Sequence, residues 1–353
     1  MSRKLKWFLL LVFPVLWNAC SLIDEDLDRC EIYLQFVYDY NMDYVCSFTT
    51  HVPTVDVLVF DAEGKYLFTK FATCATELID GNKMSLADDL EFGTYQILAV
   101  GNLTNHFAVS HLDGTTCTAG ATTLDQVYTA LQRESESVEH EFSPLWVSNL
   151  VEIDYTRDLV VDTTWTVPLM KYTNQFNIVL YRDDHPSVPD SRSTVYPDVP
   201  IYTFEIITPE GALYYYDHSP VSQDGVNYLP YALNFGATPD SYSVGNLNTV
   251  RLMDYRNTRA EATGSGYRLV VRNTRTFKEA WNVDLINLLE NFKPESNPDG
   301  SELSMQEFLD RKSVWDIAIL HRGGGLDDEH DVFMTLAVRV GPWIKWLHEM
   351  NLQ

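Results

Sequence analysis

The chain has 353 residues, of which 25 are basic and 50 acidic, so its formal net charge at pH 7 is −25. Hydrophobic residues make up 45% and aromatic residues 13%, which excludes a disordered chain, and this length predicts about two domains. The acidic surface would repel nucleic-acid phosphates and anionic lipid head groups, so nucleic acid is excluded as a partner.

Residues 1–19 have the pattern of a secretory signal peptide. Three basic residues near the start are followed by the apolar run Trp7–Trp17, which is shorter than the roughly 20 residues that a membrane-spanning helix needs. Ala19 then precedes Cys20, as at the cleavage site of a bacterial lipoprotein, which predicts acylation of Cys20. Trp17 stands where a leucine is usual, so an ordinary signal peptide with a chance cysteine stays an alternative.

Residues 20–29 are predicted to form a lipidated acidic linker. The acidic run Asp24–Asp26 lies close behind Cys20. It resembles the export signal of Bacteroidetes-type lipoproteins that reach the outside of the outer membrane, although a solvated linker would explain the same residues. Cleavage before Cys20 would remove three basic residues and change the net charge from −25 to −28. Attachment must therefore come from the acyl chains, each buried CH₂ of which contributes about 0.8 kcal/mol.

Four more cysteines follow in the first third of the chain. An exported protein can keep disulfides, and four cysteines allow three connectivities. The sequence does not choose among them, and free buried thiols are an equal alternative. The spacings contain no CxxC pair, so neither a zinc site nor any other cofactor is predicted. These residues are Cys30, Cys46, Cys74 and Cys117.

Residues 30–165 are predicted to form a first β-sandwich. In the strand 31–38, the side chains of Ile32, Leu34 and Phe36 fall on one face at period two. Two further strands form a hairpin around Gly64, which can adopt the positive φ of a turn. The pattern also predicts one or two helical turns and a charged loop. The strands are 54–60, 65–72, 84–90, 93–100, 142–147 and 158–169, the helical turns 124–131, and the loop 133–141.

Residues 166–353 are predicted to form a second β-sandwich. Short strands separated by turns dominate, and two of them are expected to pair as a hairpin around residues 209–211. Ser304 precedes Glu307 by three residues, a capping box that predicts a short helix at 304–310. The strands are 176–181, 202–208, 211–216, 242–253, 267–273, 314–320 and 332–340, with a helical turn at 285–292. The fold class is therefore mainly β, with two tandem sandwiches.

Few residues suggest chemistry, and no catalytic residue is predicted. Asp61 and Glu63 could be a carboxylate pair of a glycosidase, but acidic residues are common in a hairpin turn. The acidic run 327–331 lacks EF-hand spacing, so a solvated loop is favoured over a Ca²⁺ site. His106 and His111 give only a weak indication of a metal pair. No metal site is predicted.

Several stretches resemble one known family. They are 36–42, 55–61, 93–95, 100–102, 284–289, 306–311 and 341–343. In this order, and with a lipoprotein start, the chain is similar to the FimB-like anchor lipoproteins of Bacteroidetes fimbriae over about residues 20–346. The resemblance implies two transthyretin-like β-sandwiches, no enzyme activity, assembly with fimbrial shaft subunits, and a place at the fimbrium base on the cell outer membrane. It also implies an influence on fimbrial length.

Fimbriae of this kind assemble by strand addition, in which one subunit's strand fills a groove of its neighbour. In such assemblies, proteolytic removal of a subunit's first strand opens the groove. Because an anchor cannot lose its N-terminal segment without leaving the membrane, we expect its C-terminal stretch to contact or complete the first shaft subunit. Its candidate partner-binding residues alternate along one strand: Val332, Met334, Leu336, Val338 and Val340, followed by Trp343. The alternative is a final strand that closes the protein's own second sandwich.

A glycan-binding surface lipoprotein is the rival function. It predicts an exposed row of aromatic rings on one sandwich face. The anchor function predicts covered rings and an accessible sheet edge.

Overall fold

The computed structural model describes residues 30–111, 114–156, 161–182, 200, 202–222, 224–235, 241–256, 264–274, 276–321, 336–340 and 343–347. The signal peptide, Cys20 and the acidic linker lie outside these ranges, as do Val332, Met334 and the acidic run 327–331. The described part is mainly β, as predicted.

Strands dominate both halves of the described chain. They are β1 (Ile32–Val37), β2 (Thr54–Asp61), β3 (Tyr66–Thr73), β4 (Lys83–Ser85), β5 (Gly93–Gly101), β6 (Phe107–His111), β7 (Val127–Leu131), β8 (Ser137–Val138), β9 (Trp146–Ser148), β10 (Val151–Tyr155), β11 (Thr163–Lys171), β12 (Thr173–Arg182), β13 (Tyr202–Thr208), β14 (Leu213–Tyr215), β15 (Val226–Tyr228), β16 (Ala232–Asn234), β17 (Ser241–Val250), β18 (Arg268–Asn273), β19 (Glu279–Asp284), β20 (Val314–His321), β21 (Leu336–Val340) and β22 (Trp343–Leu347). The helices are α1 (Phe48–His51), α2 (Cys74–Glu77), α3 (Leu285–Glu290) and α4 (Met305–Arg311), with a 3₁₀ turn at Leu124–Gln126.

The first unit, residues 30–171, is built on eight strands in the order β3-β2-β5-β9-β11-β1-β4, with β10 beside β5. The strand β11 joins its two layers, because its first part pairs with β1 in parallel and its last three residues pair with β9. The predicted face of β1 is buried in one core with alternate residues of β2. The predicted hairpin of β2 and β3 is confirmed.

The strand β2 is buried on both faces. Val55, Val57 and Val59 enter the core of the first unit, whereas Leu58 and Phe60 enter a larger core that continues into the second unit. This double burial explains why residues 57–60 form a continuous apolar run rather than an alternation.

The second unit, from residue 172, packs a six-stranded sheet against a five-stranded sheet whose last strand, β8, comes from the first unit. Their orders are β16-β17-β12-β20-β21-β22 and β19-β18-β13-β15-β8. Their facing side chains, such as Phe176, Phe204 and Trp315, are fully buried. Gly245 allows the sheets to approach closely, because a Cβ atom there would lie 2.4 Å from a ring carbon of Phe204.

A small sheet, β14-β7-β6, connects the two units, and it overturns two predictions. Residues 124–131 form only a 3₁₀ turn followed by β7, not helix. All five residues of β7 are buried between neighbours, which removes the polar face that would mark a strand. The predicted hairpin of 202–208 with 211–216 is also wrong. The strand β14 leaves β13 to pair with β7, and β13 pairs with β15 and β18.

Both predicted short helices are confirmed. Asp284 caps α3 by accepting a hydrogen bond from the Asn287 amide, and Ser304 caps α4 by accepting one from Glu307. Residues 165 and 166, at the predicted domain boundary, both lie inside β11, and only Tyr172 separates β11 from β12. The proposed division of the chain into domains stays a prediction.

Candidate functional site

The C-terminal residues form an edge hairpin. The strand β21 joins the sheet beside β20, with Val338 opposite Ile319. The strand β22 turns back onto β21, with Val340 opposite Trp343. The predicted strand is therefore present at Leu336–Val340. Because β22 continues the sheet, it is the outermost strand in the described order.

The N-terminal end of the first unit, which we call the base, gathers residues around Cys30. The Tyr155 hydroxyl donates to the Cys30 carbonyl at 3.5 Å, and the ring of Tyr155 contacts that of Phe92 with centroids 4.9 Å apart. The Glu31 amide donates to Asp162 at 3.0 Å, next to Val161. Phe92 and Val161 are 37% and 66% exposed, so two exposed apolar side chains lie near Cys30, the first residue that the structure describes.

The opposite end of the second unit, which we call the distal end, is where β12 and β20 finish at Arg182 and His321. Since β11 starts at the base and β12 continues after a single residue, the chain runs from the base through the junction to this end. The β18–β19 turn lies there too, because Asn273 pairs with Tyr202 at the start of β13. The strand β22 also runs toward this end, because its last residue, Leu347, pairs with Leu336 at the start of β21.

A buried ion pair lies within the second unit, beside its junction with the first. Arg251 donates from Nε and Nη2 to the two carboxylate oxygens of Asp310, at 2.7 and 2.8 Å, and the side chains are 9% and 5% exposed. Gln306 donates to the same carboxylate at 3.0 Å. Burial alone would lower the pKa of Arg251, but the hydrogen bonds and charge of Asp310 outweigh it and raise that pKa. This paired geometry is the condition for holding two charges inside a fold.

His218 extends this network to the first unit. Its Nδ1 accepts a hydrogen bond from the Tyr172 hydroxyl, and its Nε2 lies 2.6 Å from Oδ1 of Asn149. Its carbonyl accepts from Arg251 at 3.1 Å. Burial and then the positive charge of Arg251 lower the pKa of His218 to about 4, so the ring is neutral at pH 7.

A second set of contacts, centred on Arg311, joins the loop after β1 to α4. The guanidinium of Arg311 lies 4.2 Å from the ring centroid of Tyr40 and 4.5 Å from that of Tyr44. Its Nε donates to Glu307 at 2.8 Å. The Tyr44 hydroxyl donates to Asn297 at 2.6 Å. No local pattern in the sequence indicates this contact, because it joins residues about 270 positions apart.

Other sequence candidates have structural roles. Asp61 accepts the amides of Glu63 and Lys65 at 3.1 and 2.8 Å, so it organises the turn rather than a carboxylate pair. The rings of His106 and His140 contact each other. Within the described residues, no three His, Cys, Asp or Glu side chains come together as a ligand set for a metal. None of the helices in the described ranges is long and apolar enough to cross a membrane.

Three of the cysteines carry thiols outside any disulfide: Cys46 is exposed, Cys74 buried and Cys117 partly buried. Burial raises the pKa of Cys74 to about 11, which keeps it protonated and unreactive.

The aromatic side chains distinguish the two candidate functions. Trp146, Trp281 and Trp315 are buried. The exposed large apolar side chains in the described chain are dispersed over both units, and no tryptophan or tyrosine is among them: Val45, Phe71, Ile79, Phe92, Val161, Phe235, Phe277 and Val314. Covered rings and a strand at a sheet edge favour the anchor over the glycan-binding function.

Comparison with known families decides the matter. Residues 27–349 match the family described as fimbrillin-A associated anchor proteins Mfa1 and Mfa2. The chain belongs to this family. Its role is therefore that of a fimbria-associated anchor at the cell surface, as the resemblance implied. No curated protein matches the sequence.

Solved structures share the fold. A candidate adhesin of Bacteroides ovatus is 38% identical, with a TM-score of 0.80 over 93% of this chain and 98% of that chain. A candidate polysaccharide-binding protein of Bacteroides thetaiotaomicron is 24% identical, with a TM-score of 0.69 over 91% and 99% of the two chains. The fimbrial anchor protein Mfa2 of Porphyromonas gingivalis is 19% identical, with a TM-score of 0.59 over 90% and 98%. The last two likenesses concern the fold alone.

Proposed function

We propose that the protein is acylated at Cys20, stands on the outer face of the outer membrane, and holds the first shaft subunit of a fimbria at its distal end. The opposite positions of Cys30 and of the C-terminal hairpin support this proposal most directly. A molecule that links a membrane to a filament needs its two attachments at opposite ends.

The base is suited to a position close to the membrane. Whatever its conformation, the chain between Cys20 and Cys30 spans at most about 35 Å. Apolar Phe92 and Val161 lie exposed near Cys30. The net charge of −28 after cleavage before Cys20 argues against electrostatic attachment, so the acyl chains must supply the affinity.

The hairpin of β21 and β22 is the proposed strand donor. An edge strand carries main-chain donors and acceptors that a second sheet can pair with, and alternate side chains can enter pockets of the partner. Within the described residues, the proposed contacts are Leu336, Val338, Val340 and Trp343. Val332 and Met334, which lie outside the described residues, complete the proposed set. Filling the groove of the first shaft subunit would fix where the filament starts, which is how the protein would limit its length.

Truncation tests the strand-addition proposal. Deleting 342–353 removes β22 but leaves the pairing of β20 with β21, and deleting 348–353 keeps both strands as a matched control. We expect the longer deletion to release fimbriae from the cells while the protein stays in the outer-membrane fraction. The control should keep its fimbriae. Fimbriae of normal length still attached to cells that carry the longer deletion would exclude this use of the hairpin.

A further inference from the structure

The turn between β18 and β19 presents a phenylalanine to solvent. Phe277 is 77% exposed, the highest value among the large apolar side chains that the structure describes. The turn is firmly held. The Phe277 amide donates to the Asn273 carbonyl at 2.9 Å, the Thr276 amide to the Asn273 side chain at 3.0 Å, and the Thr274 hydroxyl to the Pro200 carbonyl at 2.8 Å.

The backbone of Phe277 is strained. Its φ is +58°, a left-handed conformation that glycine and asparagine adopt easily and bulky residues rarely do. Such an outlier persists when its surroundings hold it, and it commonly marks a functional position. The isolated protein thus carries both an unfavourable backbone conformation and an exposed ring at one residue.

Other residues at positive φ have a visible reason within the fold. Tyr44 stacks on Arg311, and His218 bonds to Tyr172. Ala212 is buried, and the remaining two, Asp80 and Asn102, are of types that tolerate this conformation. Phe277 differs, because its ring is largely in solvent and no ring contact with another described residue compensates for the strain.

The position of Phe277 indicates what would cover the ring. The turn lies at the distal end, opposite the base, so a lipid surface at the tether cannot reach it. Phe235, 44% exposed, lies at the same end, since it follows β16 beside residue 243 of β17. The proposed strand donor is directed to this end as well. Aromatic side chains held rigidly are the usual anchors of protein interfaces, and they insert into pockets of the partner.

We infer that Phe277 is a docking anchor that inserts into an apolar pocket of the first fimbrial shaft subunit. This inference rests on the proposed function and adds a second contact, independent of strand addition. It explains why the chain keeps a strained and exposed ring at a place where glycine would be more stable.

The test combines stability with fimbrial attachment. In Phe277→Gly the strain and the ring are both removed, so the melting temperature of the purified protein should rise by about 2 °C. Cells that carry the variant should retain at least tenfold fewer fimbriae, with the lost fimbriae in the medium. Phe277→Asn should behave in the same way, and Phe277→Tyr should retain its fimbriae. Phe71→Ser, at a 56% exposed phenylalanine of the first unit, is the matched control and should also retain them.

Three outcomes would overturn the inference. In the first, Phe277→Gly and Phe277→Asn cells keep their fimbriae while Cys20→Ser cells shed theirs; the anchor function then stands, but Phe277 is not a contact. In the second, Phe71→Ser cells release fimbriae as strongly as Phe277→Gly cells, so the effect would not be specific to the position of Phe277. Sedimentation could show wild-type self-association that Phe277→Gly abolishes, which would make a second copy the occupant. If Cys20→Ser cells also keep their fimbriae, the proposed function itself fails.

Discussion

Replacing Asp310 by asparagine should destabilise the second unit strongly. The asparagine side chain would keep the shape of the aspartate but remove the charge that faces Arg251 at 2.7 and 2.8 Å. The guanidinium, 9% exposed, would then remain buried without a counter-charge. Removing one partner of a buried pair typically costs about 3–5 kcal/mol, whereas an exposed pair contributes about 0–1 kcal/mol.

The chain supplies a matched control for that cost. Arg256 and Glu290 form an ion pair at 2.8 Å, a similar length, but the Glu290 side chain is 49% exposed. Urea unfolding can be followed by tryptophan fluorescence, to which the buried Trp315 contributes; this ring packs against Phe176 and Phe308 in the core. Asp310→Asn should lower the free energy of unfolding by about 3–5 kcal/mol, and Glu290→Gln by at most about 1 kcal/mol.

The double replacement Arg251→Met with Asp310→Leu sharpens the test. Since it removes both charges and keeps apolar volume, it should recover most of the stability lost in the single variant. A loss below about 1 kcal/mol in Asp310→Asn, or equal losses in Asp310→Asn and Glu290→Gln, would refute the claim that burial sets the strength of this pair.

Two further predictions concern the junction. The pKa of His218 is lowered to about 4 in the folded protein, so as the pH falls the unfolded chain binds this proton first. The free energy of unfolding should therefore fall by up to about 3 kcal/mol between about pH 6.5 and pH 4. His218→Asn should flatten that part of the plot of stability against pH, and an unchanged plot would contradict the assignment. Arg311→Lys should lower the free energy of unfolding by about 1–2 kcal/mol and speed amide hydrogen exchange in the loop 39–47, since lysine cannot reproduce stacking between two rings. Arg268→Lys, on the surface, should change the free energy of unfolding by at most about 0.5 kcal/mol and leave the exchange in that loop unchanged.

Local patterns in the sequence were sufficient for much of the fold. The period-two burial of Ile32, Leu34 and Phe36, the Gly64 turn and the Ser304 cap each depend on residues close together in the chain, so they could be predicted. The prediction failed at β7, where packing on both faces removed the alternation, and at β14, which pairs with a strand about 85 residues earlier.

The candidate site was predictable in part for the same reason. The alternation of Leu336, Val338 and Val340 correctly indicated the strand β21, which lies next to the outermost strand of its sheet in the described order. The turn back into β22 and the strained position of Phe277 depend on backbone geometry that no periodicity reports. The contact of Arg251 with Asp310, 59 residues apart, becomes visible only when α4 packs against the end of β17.

Fractionation of Cys20→Ser cells tests the central claim most directly, with Cys46→Ser, a replacement of the exposed thiol after β1, as the matched control. If the protein is a lipid-tethered footing for the filament, Cys20→Ser should lose radiolabelled palmitate, leave the outer-membrane fraction and release the fimbriae into the medium, while Cys46→Ser retains all three properties. Fimbriae that stay on Cys20→Ser cells, with the protein still in the outer membrane, would contradict the account.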